Sequence, residues 1–106
     1  MEILTVNEEM LLIIIWQLKK DAYGFPIMKK VMKITKKKIS YGSLYNSLSN
    51  LAKKGYLTFY KGEPTDVRGG KSKIYYSITA EGKAALKSAR QFHKSLWMNA
   101  PGFESD

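Results

Sequence analysis

Met10 to Trp16 is apolar at every position and is followed by Leu18, and this run constrains the chain more than any other feature. Thr5 or Asn7 can cap a helix that begins just before it and reaches about Lys20, with Glu8 and Glu9 in the first turn where carboxylates suit the helix dipole. Thr5 with Glu8 fits a capping box. The run falls well short of the roughly 18 to 20 apolar residues that span a bilayer, so membrane insertion is excluded for it. A water-borne helix that is apolar all round must be covered on two sides. One side can be the chain's own core, and the other is most simply a second copy of the chain. Length supports that expectation, because a domain of 106 residues buries only about 60 to 70% of its unfolded surface. A homodimer that contacts no membrane is therefore expected.

Downstream, Asp21 to Gly24 break the pattern, and Pro26 opens a short helix through Ile27, Met28, Val31 and Met32. A third helix is predicted from Ser40 to Lys54, capped by Ser40 and closed by Gly55 in the left-handed conformation. Leu44, Leu48 and Leu51 form its core stripe, with Tyr41 and Ala52 beside them. The opposite side carries Gly42, Asn46, Ser49 and Lys53, with Ser43 and Asn50 on its shoulder. A merely solvated face favours Glu, Lys and Ala, whereas Gly, Ser and Asn are poor helix formers, so this face is chosen for hydrogen bonding. Tyr45 lies about 100° from the stripe, where it either packs or touches phosphate.

Tyr56 to Lys61 and Lys73 to Ile78 read as strands, with Leu57 and Phe59 alternating in the first and Ile74, Tyr76 and Ile78 in the second. The connection between them, residues 62 to 72, contains Gly62, Pro64, Gly69 and Gly70 and reads as a flexible basic loop at the tip of a ribbon. Thr79 caps a last helix with Glu81 in its first turn and a stripe of Ala85, Ala89, Phe92 and Leu96, with Leu86, His93 and Trp97 alongside. Pro101 and Gly102 end it. The predicted organisation is one domain, residues 1–100, followed by a disordered tail, 101–106.

Charge narrows the function. There are 18 Lys and Arg against 9 Asp and Glu, a net charge of +9, and an excess of this kind on a folded domain points to a polyanionic partner rather than to simple solubility. The cations cluster: Lys29, Lys30 and Lys33 precede the block Lys36, Lys37 and Lys38, and Lys61, Arg68, Lys71 and Lys73 surround the Gly-rich segment. With no Cys there is no disulfide, thiolate nucleophile or Cys-based zinc site, and a reducing compartment is expected. The amino-terminal residues have no signal-peptide pattern, which points to a cytoplasmic, nucleoid-associated protein. His93 is the only His and reads as a packed or solvated residue, so neither a metal nor any other cofactor is expected. The carboxylates fall in separate caps and loops without a nucleophile–base pair, so an enzyme is not expected.

The predicted order, α-α-α-β-β-α, is mainly α with a small β-ribbon, the arrangement of a winged helix-turn-helix. A helix about 10 to 12 Å across fits the major groove of double-stranded DNA, its first residues meeting base edges while flanking cations hold phosphates. The expected recognition residues are Ser40, Tyr41, Gly42, Ser43, Tyr45, Asn46, Ser49 and Lys53, with Lys33, Lys36, Lys37 and Lys38 on the backbone. Lys61, Arg68, Gly69, Gly70, Lys71 and Lys73 form a wing over the adjacent minor groove or backbone.

Three segments resemble the PadR family of transcriptional regulators. Tyr23-Gly24-Phe25-Pro26-Ile27 is similar to that family's Tyr-Gly-Tyr-Glu-Ile segment. Gly42-Ser43-Leu44-Tyr45-Asn46-Ser47-Leu48, with Leu51 and Gly55-Tyr56-Leu57, is similar to its Gly-Thr-Leu-Tyr-Pro-x-Leu helix and exit. Lys73 to Gly82 resembles its Tyr-Tyr-x-Leu-Thr-x-x-Gly signature. Asn46 replaces the usual Pro, and the chain stops after one terminal helix. The resemblance implies a dimeric repressor of a two-fold operator, dimerising through the first and last helices. Leu11, Ile14 and Ile15 would meet Leu86, Ala89, Phe92, His93, Leu96 and Trp97 of the other copy. It also implies that Trp16 and Trp97 either fill that interface or line a pocket there for a small aromatic effector. PadR-like winged helices also occur in plasmid partition, so the alternative is an architectural or segregation protein that loads on a centromere-like site, spreads along DNA and meets a partition partner protein.

Overall fold

A computed structural model describes residues 3–62 and 73–104. Thr5 accepts from the Glu8 N–H at 3.1 Å while the Glu8 side chain accepts from the Thr5 N–H at 2.9 Å. That capping box starts α1, Val6–Leu18, which a 3-10 turn, Lys19–Asp21, terminates. Helix α2 is Gly24–Thr35 and α3 is Tyr41–Lys53. Strands β1, Leu57–Lys61, and β2, Ile74–Ile78, pair antiparallel with Leu57 opposite Ile78 and Lys61 opposite Ile74. Helix α4, Ala80–Met98, is capped by Thr79, whose hydroxyl accepts from the Gly82 N–H at 3.0 Å. These elements form a mainly helical winged helix-turn-helix with a two-stranded ribbon.

The core gathers Leu11, Leu12, Ile14 and Ile15 of α1, Ile27, Met28 and Val31 of α2, and Leu44, Leu48 and Leu51 of α3, with Leu57, Tyr76, Leu86 and Ala89. Helix α1 is its centre, touched by α2, α3, β2 and α4. The single chain therefore covers almost all of the apolar run, and only Ile13 and Trp16 stay exposed, at 39% and 46%. This corrects the expected interface: Leu11, Ile14 and Ile15 are core residues of one chain, as are Leu86 and Ala89, and have almost no surface left for a second copy.

Residues 21–24 were expected only to interrupt the helices. Instead Tyr23 forms an antiparallel bridge with Tyr75, and the Tyr76 N–H donates to the Ala22 carbonyl at 2.8 Å. The ribbon is thus tied to the start of α2. Phe59, expected to alternate with Leu57, is 60% exposed although its strand partner Tyr76, 6.1 Å away ring to ring, is buried, so at this level the core covers β2 and not β1. Tyr41, expected beside the core stripe of α3, is exposed and stacks on Tyr45 at 6.0 Å.

At the other end, the Thr79 hydroxyl donates to the Gly55 carbonyl at 2.7 Å and the Thr79 N–H to the Tyr56 carbonyl at 3.1 Å. Gly55 has φ 83°, the left-handed conformation that closes α3 and turns the chain into β1. Helix α4 packs on the body mainly through its first half, with His93 of the second half reaching Glu9 of α1. Its second half, with Phe92, Leu96, Trp97 and Met98 between 42% and 70% exposed, reaches outward and stretches the molecule to 59 × 29 × 20 Å. No helix among the described residues is long and apolar enough to cross a membrane.

Candidate nucleic-acid interface

Ser40 accepts from the Ser43 N–H at 3.1 Å, which fixes where α3 begins and leaves Tyr41 and Gly42 in its exposed first turn. Leu44, Leu48 and Leu51 anchor the inner side at 0 to 1% exposure. Ser40, Tyr41, Gly42, Ser43, Tyr45, Asn46, Ser49 and Lys53 are all exposed, so every expected recognition residue is on the accessible side. At Gly42 a Cβ would meet only Ser40 Oγ, at 3.8 Å, so the glycine is not required by packing. A backbone without a side chain at that place suits close approach of a ligand.

The turn before α3 is held as tightly as the helix. Lys36 takes a left-handed conformation, φ 58°, that closes α2, its N–H donating to the Met32 carbonyl at 2.7 Å. Thr35 donates to the Val31 carbonyl at 2.8 Å and accepts from the Lys37 N–H at 3.3 Å. A glycine would adopt the Lys36 conformation without the roughly 1 kcal/mol that a side chain costs there. Lys33, Lys36, Lys37 and Lys38 are exposed, and so are Lys61 and Lys73 at the loop end of the ribbon. Arg68, Gly69, Gly70 and Lys71 lie outside the described residues.

One electrostatic signal was available in the sequence and is wider than the Lys block. Between Asp21 and Glu63 there is no carboxylate, while the same stretch holds nine Lys. That interval supplies α2, the turn, α3 and β1, so none of these elements carries a carboxylate. Among the described residues, Glu8 and Glu9 lie in the first turn of α1. Glu8 holds Lys54 at 2.5 Å, and burial pushes its carboxyl up while the bonds from Lys54 and Thr5 outweigh burial and leave it titrating below the usual carboxylate range. Glu9 lies 3.0 Å from His93 Nε2, tying α1 to α4, so the lone His is half-buried in a side-chain hydrogen bond.

The sequence also gave no sign of a hollow of about 410 Å³ beside α3, lined by Tyr23, Gly24, Phe25, Tyr41, Tyr45, Lys73 and Ile74. Tyr45, left between packing and phosphate contact, leans across to α2. Its hydroxyl lies so close to Gly24 that a Cβ there would approach it to 2.3 Å. A second groove, about 450 Å³, lies between α1 and α4 over Ile13, Trp16 and Leu86, with Lys83, Lys87 and Arg90 around it. Trp16 lines that groove under the Lys83 ammonium, 5.1 Å from its ring, whereas Trp97 lies apart with Phe103 at 5.8 Å.

Comparison with known proteins agrees with this layout. The model of the PadR-like transcriptional regulator family matches residues 11–88. A protein of uncharacterised role from Lysinibacillus sphaericus is 39% identical over 71 residues, 65% of this chain and 62% of that protein, so the chain matches a little under two thirds of that relative's length. A PadR-like transcriptional regulator from Bacillus cereus superposes with a TM-score of 0.69 at 26% identity, covering 88% of this chain and 85% of the other. A Streptococcus transcriptional regulator shares the fold with a TM-score of 0.72 at 22% identity, covering 94% and 93%. With residues 11–88 matched and a winged helix-turn-helix built from them, the chain belongs to the PadR-like family of transcriptional regulators.

Proposed function

We propose that the chain is a homodimeric, sequence-specific DNA-binding repressor that acts at the nucleoid in the cytoplasm. Helix α3 lies in the major groove, Lys33 and Lys36 to Lys38 hold the backbone, and the ribbon carries the wing over the adjacent minor groove or backbone. The observation that carries this reading is the exposed, carboxylate-free face that joins the Gly- and Ser-rich start of α3 to the pinned Lys turn. Asn46 is the residue on that face suited to a bidentate contact with adenine. The outward half of α4 supports dimerisation: Phe92, Leu96, Trp97 and Met98 form an apolar stretch that the single chain leaves uncovered. The α1–α4 groove is where a small aromatic effector would act on that dimer.

The test is fluorescence anisotropy across a salt series, comparing a duplex enriched by the protein from a random-sequence library with a composition-matched control. The expected preference is about 10³ or more and persists at physiological salt. Equal affinity that collapses with salt refutes specific readout. Asn46→Ala is expected to relax preference at one base position by about 1 to 3 kcal/mol, while Lys37→Ala weakens all sequences and flattens the salt slope by about one unit.

A further inference from the structure

The hollow between α2, α3 and the ribbon has a chemistry of its own. Its walls are aromatic: Tyr41 and Tyr45 from α3, Tyr23 from just before α2 and Phe25 from its first turn. The Tyr23, Tyr41 and Tyr45 hydroxyls have no hydrogen-bond partner among the described residues. Among the described residues its one charged lining residue is Lys73, whose ammonium lies 4.4 Å from the centre of the Tyr23 ring. The rings are already positioned. Tyr23 is fixed by its bridge to Tyr75 and by an edge contact between the two rings at 5.4 Å, and Tyr45 rests on Gly24. Rigid aromatic walls, free hydroxyl donors and one cation match a ligand with an apolar carbon face and an anionic oxygen cluster.

We infer that this hollow is a subsite for the DNA backbone, taking one deoxyribose-phosphate that flanks the bases met by α3. The inference rests on the proposed DNA-binding function and adds Tyr23 and Phe25 to the contact surface, joining them with Lys73 in a built pocket. The sugar's carbon face packs on the Tyr23 and Tyr41 rings. The phosphate accepts from tyrosine hydroxyls and from Lys73, the kind of contact that sets register on a duplex without reading sequence. Two observations select DNA as the occupant. The hollow is continuous with the exposed face of α3 through Tyr41 and Tyr45, and among the described residues no carboxylate lines it to repel a phosphate.

Tyr23→Phe and Tyr45→Phe keep the rings and remove only the hydroxyls, so folding, checked by circular dichroism, is expected to be unchanged. With the library-enriched duplex each is expected to bind about tenfold more weakly. The salt slope should stay the same, because no cation is lost. Lys73→Ala is expected to weaken binding and reduce the slope by about one unit. Single methylphosphonates placed along the duplex should then reveal one position per half-site where the wild type weakens and the tyrosine variants lose nothing more. Tyrosine variants that bind like the wild type, or whose deficit persists at every methylphosphonate position, overturn the inference. A wild type that binds the enriched and control duplexes equally strikes the sequence-specific reading alone, since the hydroxyl deficit is still measurable on the control duplex.

Discussion

Gly42→Ala separates fold stability from DNA binding at a single atom group. Gly42 lies in the first turn of α3 with ordinary negative-φ backbone, since Gly55 is the glycine with positive φ among the described residues. The added Cβ meets only Ser40 Oγ, at 3.8 Å, an ordinary van der Waals contact. Nothing in the isolated chain opposes the substitution, and alanine is the better helix former by up to about 1 kcal/mol. Part of that gain comes from lower entropy of the unfolded chain. Near a helix start the net stabilisation is expected at about 0.5 to 1 kcal/mol, a rise in Tm of roughly 2 to 8 °C for a domain of this size. The same methyl group stands on the face proposed to meet DNA. If α3 approaches the duplex backbone-first at this turn, the variant binds the enriched duplex at least about tenfold more weakly, or 1.4 kcal/mol. Calorimetry and anisotropy on one preparation provide both numbers. Raised Tm with unchanged affinity would show that the start of α3 does not meet DNA, and lowered Tm would refute the free space assigned around Gly42.

Gly82→Ala is the opposite case: a Cβ would lie 2.4 Å from the Tyr56 carbonyl oxygen and 2.7 Å from Ile78 Cγ1. The backbone oxygen cannot swing aside, so a net loss of about 2 kcal/mol in urea unfolding is expected despite the gain in helix propensity, and an unchanged midpoint would contradict that packing. Glu8→Gln tests the Lys54 contact. A carboxyl whose pKa is lowered by folding stabilises the protein above its unfolded value, near 4.5, and the contribution disappears as pH falls through the folded value. Because Lys54 is 38% exposed, the loss at neutral pH is expected to be about 0.5 to 1 kcal/mol, and wild type and variant should converge in acid; a constant gap down to pH of about 2 would rule the assignment out. Trp97→Ala should weaken self-association by at least about 2 kcal/mol in sedimentation equilibrium, and an unaltered dimer would remove Trp97 from the interface.

The parts of this fold legible in sequence are those decided within a turn or two of chain. Thr5 with Glu8, Ser40 and Thr79 cap where expected because a cap is a bond between residues two or three apart. The inner stripe of α3 and its polar face follow from the helical period alone, and Gly55 follows from the geometry that ends a helix. The Lys-rich, carboxylate-free interval is likewise a property of the chain and not of its packing. Other features depended on elements far apart in sequence. Met10 to Trp16 showed a helix in need of cover but not which residues supply it. Only the packed structure assigns Leu11, Ile14 and Ile15 to the chain's own core and leaves Ile13 and Trp16 outside. Phe59 alternates correctly along β1 yet is exposed while its partner Tyr76 is buried, since alternation sets the face of a strand and not which strand of the ribbon the core covers. Tyr23 reads as part of a break because its partner, Tyr75, comes from the other side of the ribbon. The hollow needs three such elements together. Short-range chemistry therefore determined the helices, their caps and the polar face of α3, and tertiary packing alone decided which apolar surface is spent inside one chain and which is left exposed.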